Sequence, residues 1–193
     1  MDAAAVSFLR EALASTEWVE RTRDLGRAIR ATRSPGGLLV VGTPDDEPWH
    51  LAAHLDDESR FSGLAQLRPT LVRWSPPPGA PPHLRVGLDR LEEARRGETL
   101  FVVAETKSPD PLLERVHDAR RTGATILALD GGDPELEDLA HDALRVAPGE
   151  SLLTFDGAQH LVSRAAGEEA RRPTLRDRLA RLLDTLSGPR LTD

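Results

Sequence analysis

Gly36 to Leu55 reads GGLLVVGTPDDEPWHLAAHL, and this stretch decides the fold. Leu38-Leu39-Val40-Val41 is a short continuous apolar run, as expected of a strand covered on both faces. Gly42-Thr43-Pro44-Asp45-Asp46-Glu47-Pro48 is a tight acidic loop. Asp46 or Glu47 can cap the helix that follows, and Pro48 suits its first turn. That helix is expected over 48–57, with His50 and His54 one turn apart on one face.

Working outward, residues 2–33 carry Val6, Leu9, Leu13, Val19, Leu25 and Ile29 near helical spacing. Ser15-Thr16 before Glu17 could restart a second helix there, because Ser and Thr favour N-caps. Ser34-Pro35-Gly36-Gly37 ends the helical stretch. Downstream the alternation continues. Strands are expected at 70–74, 99–104, 125–129 and 143–146, and helices at 88–96, from Ser108-Pro109 to Gly123, after Asp133-Pro134-Glu135, and at 151–166. Ser75-Pro76-Pro77-Pro78-Gly79-Ala80-Pro81-Pro82 reads as a stiff, extended surface connector. Thr174 caps a last amphipathic helix over 174–187, with Leu175, Leu179, Leu182, Leu183 and Leu186 on one face. Strands alternating with helices imply an α/β fold: a three-layer αβα sandwich with a five-stranded, mostly parallel sheet and right-handed crossovers. Additional helices stand at both ends, and 1–193 is read as one domain.

At 193 residues the chain is long enough to bury a full core. It has no cysteine, which removes disulfides, thiolate catalysis and cysteine-ligated zinc. A formal net charge of −7 argues against nucleic acid as the main partner. No apolar run reaches bilayer-spanning length and the N-terminus lacks signal-peptide character, so no membrane is expected and a cytoplasmic location follows by default. Lys107 is the sole lysine among 25 basic residues; this Arg bias, with the Ala, Gly and Pro content, marks a GC-rich coding sequence rather than a function.

The ordered set of elements resembles the SIS (sugar isomerase) fold, and most its phosphoheptose isomerase branch. Two leading helices enter GGLLVVG, and His50-Leu51-Ala52-Ala53-His54-Leu55 is similar to that branch's histidine-rich helix. Arg60-Phe61 and Arg68-Pro69 precede the second strand as they do there. Thr99 to Pro109 resembles the strand and Ser-rich loop, and Gly123 to Leu129 the next strand. Ala143-Leu144-Arg145-Val146 followed by a helix with His160 completes the match. The resemblance implies a sugar phosphate held by hydroxyls and backbone N–H groups of the loops after the first and third strands. It also implies pairing into dimers or tetramers, with sites at subunit boundaries.

The departures bear on function. The first loop reads Pro44-Asp45-Asp46-Glu47, and the second, Ala104-Glu105-Thr106-Lys107-Ser108, keeps two hydroxyls. Two like charges about 4 Å apart cost about 4 kcal/mol at an effective dielectric near 20, so this acid repels a phosphate dianion. The family's catalytic carboxylate falls at His54, its Gln-Glu pair reads Gly157-Ala158, and its second C-terminal histidine is Ala165. His54 and His160 are the remaining catalytic candidates. Thr43, Asp45, Asp46, Glu105, Thr106, Lys107 and Ser108 are the candidate ligand-binding residues. His50 and His54, with Asp45, Asp46 and Glu47 nearby, could hold a divalent metal. The alternative for that histidine pair is an ordinary polar helix face or a packed interface.

The leading expectation is a divergent, non-catalytic SIS-like protein that binds a carbohydrate derivative or another small ligand in a regulatory or accessory role, as a homodimer. One alternative is a phosphoheptose-type aldose–ketose isomerase, an intramolecular oxidoreductase assisted by metal. A second is an interaction scaffold with a vestigial site.

Overall fold

A computed structural model describes residues 17–147 and 153–168. The expected strands form one five-stranded sheet in the order β2-β1-β3-β4-β5, with every pairing parallel. These are β1 (Leu38–Val41), β2 (Pro69–Val72), β3 (Thr99–Ala104), β4 (Thr125–Asp130) and β5 (Asp142–Arg145). Interior strand β1 pairs with both neighbours in one register: Leu38 sits beside Pro69 and Thr99, and Val41 beside Val72 and Val102.

Alternation of side chains along the strands divides the interior into two layers. Leu38, Val40, Phe101, Val103, Leu127 and Leu129 point to one face. There they meet helices α1 (Glu17–Arg30), α2 (Trp49–Ser62) and α6 (Phe155–Glu168). Leu39, Val41, Leu100, Val102, Ile126 and Ala128 point to the other, against α3 (Asp89–Glu92), α4 (Asp110–Arg121) and α5 (Pro134–Leu139). Both faces of β1 and β3 are therefore buried, and each fully buried Leu or Phe contributes about 1.5–3 kcal/mol relative to exposure.

The first layer is closed by close helix contacts. A Cβ added at Gly26 on α1 would lie 2.8 Å from the backbone carbon of Ala165 on α6, so the glycine allows the two helices to touch. Arg30 Nη1 donates to the carbonyls of Ala165 and Ala166 at 2.5 and 2.9 Å, satisfying groups near the end of α6. Gly167 leaves room for the carboxylate of Glu58, which Arg164 meets at 3.3 Å.

Several expectations are corrected. α2 runs to Ser62 rather than ending near 57, because Glu58 and Ser59 are buried, Glu58 against α6, and Gly63 stops the helix with φ 72°. Its N-cap is Pro48, with no side-chain cap from Asp46 or Glu47. The proline connector is not continuously extended. Ala80 N–H donates to Pro77 O at 3.1 Å across a turn with Gly79 at φ 75°, and a short 3₁₀ turn, Pro82–Leu84, follows. The chain then returns so that Arg73 N–H reaches Val86 O at 2.9 Å. The helix expected over 88–96 is the single turn α3, and the one expected over 151–166 is Phe155–Glu168. Residues 1–16 and the helix expected over 174–187 lie outside the described residues. Among the described residues, no helix is long and apolar enough to cross a membrane.

Candidate functional site

The strand order reverses between β1 and β3, the position where open α/β sheets place ligands outside the carboxyl ends of their strands. Here the loop after β1 folds back over its own strand. A Cβ at Gly42 would lie 2.1 Å from the Asp46 carbonyl oxygen and 2.5 Å from Pro48 Cδ, so only glycine fits. Asp46 N–H closes a turn on Thr43 O at 3.3 Å, and Trp74 Nε1 donates to Gly42 O at 2.8 Å. Arg73 donates through Nε and Nη2 to Glu47 Oε2 at 2.8 and 2.7 Å. Thr43 is buried in this fold-back, whereas Asp45 and Asp46 face solvent. Glu47 does not cap α2; its carboxylate is tied to Arg73 at the end of β2.

Among the described residues, a crevice opens one strand further on. A crevice of about 150 Å³ sits between the loops after β3 and β4, walled by Glu105, Thr106, Lys107, Gly131, Gly132 and Asp133. The loops touch: a Cβ at Gly131 would meet the Glu105 carbonyl oxygen at 2.1 Å. Asp133 organises both walls. Its Oδ2 accepts Ser108 N–H at 2.7 Å, and its Oδ1 accepts the N–H groups of Glu135 and Leu136, capping α5 as the sequence indicated. Lys107 Nζ bonds Glu135 Oε1 at 2.8 Å, and that hydrogen bond and charge hold the ammonium pKa above its ordinary value. Ser108 is 1% exposed, lies behind the wall, and its hydroxyl has no hydrogen-bond partner.

Beneath the β4 loop, Asp130 is fully buried. Its Oδ1 accepts Gly132 and Asp133 N–H at 2.7 and 3.0 Å, fixing the crevice wall. Its Oδ2 and Oε1 of the neighbouring Glu137 have no hydrogen-bond donor. Burial, and to a lesser extent Glu137, pushes the Asp130 carboxyl up, against the lowering effect of the two N–H bonds.

Of the sequence candidates, Glu105, Thr106 and Lys107 therefore converge on one crevice, with Ser108 behind it. Thr43, Asp45 and Asp46 do not line it. The residues missed were Gly131, Gly132 and Asp133. The available signal was Gly-Gly-Asp directly after an apolar strand, at the same carboxyl edge of the sheet as Glu105.

The two catalytic candidates meet away from the crevice walls. The rings of His54 on α2 and His160 on α6 are 4.2 Å apart at 58°. His160 is 7% exposed; burial first, then the charge of His54, lowers its pKa, while Asp156 opposes this at 3.7 Å. His50 is exposed and stacks near Trp49, with ring centroids 5.3 Å apart. Among the described residues no three His, Asp or Glu side chains converge as a metal-holding set. Glu47, expected near that pair, is instead held by Arg73.

A neutral His160 is preferred by the folded state, so the unfolded chain binds more protons as pH falls through the unfolded value of 6.5. The stability this group supports is present above that value and declines as pH falls toward the lower folded-state pKa. Thermal melts between pH 8 and 5 should show the decline, and His160→Leu should flatten it. An unchanged profile would show that His160 is not the titrating group.

Among solved structures, the chain is similar to the sugar isomerase domain of an RpiR transcription factor from Sphaerobacter thermophilus. Identity is 17% over 90% of this chain and 88% of that one, with a TM-score of 0.52. It is also similar to a candidate phosphosugar isomerase from Silicibacter pomeroyi DSS-3, at 15% identity over 92% of this chain and a TM-score of 0.53. The chain spans 51% of the length of that second protein. At these identities the likeness establishes the fold, which is that of sugar isomerase domains. No protein-family model and no curated protein sequence matches the chain.

Proposed function

We propose that this is a divergent, non-catalytic sugar-isomerase-fold protein that binds an unphosphorylated carbohydrate derivative between the β3 and β4 loops, in a regulatory or accessory role. The observation that carries this reading is the acidic crevice beside a closed β1 loop. Glu105 and Asp133 line the space and Glu135 engages the Lys107 ammonium at its wall, while the loop that would cradle a phosphate lies folded on Gly42. A dianion would meet these carboxylates as well as the paired Lys107 ammonium and the Arg145 guanidinium beside Gly132; a polyol would find Thr106 and carboxylate acceptors. The catalytic candidates His54 and His160 pair with each other instead of lining the crevice.

Calorimetric titration tests the reading. Unphosphorylated monosaccharides are expected to give saturable heats, and sugar phosphates are not. Micromolar binding of ordinary sugar phosphates, or turnover of aldose or ketose phosphates with or without Zn²⁺ or Mn²⁺, would overturn it. Self-association as a dimer belongs to the same proposal, and a clean monomer by size-exclusion with light scattering at micromolar concentration would remove that part.

A further inference from the structure

Two carboxyls meet beneath the β4 loop. Asp130 is fully buried, and its Oδ1 is satisfied by the N–H groups of Gly132 and Asp133. Its Oδ2 and Glu137 Oε1 are also buried, lack a donor, and belong to carboxyls within hydrogen-bonding reach of each other. Among the described residues, no charged group on the surrounding elements supplies that donor. The neighbours of Asp130 in register are Ala104 on β3, which offers only a methyl, and Arg145 on β5. Arg145 is exposed, with its guanidinium packed against Gly132, and Glu105 beyond Ala104 is exposed as well. Arg120 on α4 donates to the Asp138 and Leu139 carbonyls, and Lys107 to Glu135. Both Asp133 oxygens accept backbone N–H groups.

Two buried acceptors without a donor cost stability, and a single proton between them turns that cost into a charge-assisted hydrogen bond. We propose that Asp130 and Glu137 share one proton on mild acidification, forming an acid-strengthened clasp between the β4 loop and α5. The raised pKa of the Asp130 carboxyl, caused first by burial, agrees in direction. As pH falls through that raised value the folded chain takes up the proton, ahead of the unfolded chain, whose value is 3.8. Because Asp130 Oδ1 holds Gly132 and Asp133, the same proton steadies one wall of the crevice, whatever ligand enters it. His160, on the helices of the opposite sheet face, responds to pH in the opposite sense. The clasp is therefore read locally rather than from a melt of the whole molecule.

Residue-resolved amide hydrogen exchange on the full chain at pH 7 and pH 4.5, corrected for the intrinsic exchange rate, tests the clasp. Opening at Gly132, Leu136 and Glu137 is expected to be about fivefold rarer at pH 4.5, the scale of one hydrogen bond between buried groups. In a ¹³C NMR titration the Glu137 carboxyl carbon should follow the Asp130 step. Glu137→Gln supplies a permanent donor to Asp130 Oδ2, so protection should be high and equal at the two pH values. Glu137→Ala removes the partner, so protection should be low and equal. A Glu137 that served only as packing would lower protection when replaced and leave its pH dependence in place. Independent titration of the two carbons, equal protection at the two pH values in the unmodified protein, or a pH difference that survives Glu137→Gln would overturn the proposal.

Discussion

Gly42→Ala is expected to destabilise the protein by about 3 kcal/mol, the upper part of the range for overpacking a tight site. The new methyl group would stand 2.1 Å from the Asp46 carbonyl oxygen, which belongs to the backbone and has no rotamer by which to yield. The loop over 43–48 would have to lift from the end of β1. That movement strains the Trp74 Nε1 bond to Gly42 O and the Arg73–Glu47 pair together. For a chain of this size the loss corresponds to a fall of about 6–12 °C in Tm. Loosening Trp74 should also shift its emission to longer wavelength, and a Trp74→Phe background identifies that contribution. A variant that melts within a degree of the unmodified protein, with unchanged emission, would mean that the loop is not held against the strand.

Asp130→Asn is expected to act in the opposite direction, stabilising the fold at pH 7 by about 1–2 kcal/mol. The asparagine oxygen can keep both N–H bonds from Gly132 and Asp133. Its amide nitrogen takes the place of Oδ2 and donates to Glu137 Oε1, so two buried atoms without a donor become partners. The pH dependence follows from the raised carboxyl pKa. Between the ordinary value of 3.8 and the higher folded-state value, the folded protein binds more protons than the unfolded one. Stability from this group is complete below 3.8 and is lost as pH rises through the folded-state pKa. The advantage of asparagine should therefore be full at pH 7 and shrink toward pH 4 in paired urea titrations. A variant less stable than the parent at pH 7 would show that the Asp130 charge is needed to hold the wall.

How much of this was legible in the sequence depended on range. β1 and β3 could be read at their edges because an unbroken apolar run has only one comfortable place, inside a sheet covered on both faces. Asp133 could be read as a cap because it acts on residues two and three positions away. α2 was read too short because Asp56-Asp57-Glu58-Ser59 resembles a solvated helix end. Only the approach of α6, made possible by Gly167, buries Glu58. The site divided in the same way. Glu105, Thr106 and Lys107 were recognisable from their place after a strand. The Arg73–Glu47, His54–His160 and Asp130–Glu137 encounters depend on where the sheet delivers separate segments, and local sequence carries no trace of them. The first loop's acid was read as a repulsive lining, but one of its three carboxylates, Glu47, is structural through its pair with Arg73.

The contact between Gly26 and Ala165 has a consequence for the order in which the molecule is built. The β3-α4-β4 unit closes through neighbours in sequence, so one layer of the core can assemble while the chain is still being made. The layer holding α1 cannot. Its partner, α6, lies about 135 residues away and is among the last described segments to be synthesised. Such distant closure is slow relative to local pairing. Until α6 arrives, Leu25 and Ile29 and the sheet face bearing Phe101 lack part of their cover, so this side of a nascent chain keeps apolar surface exposed the longest.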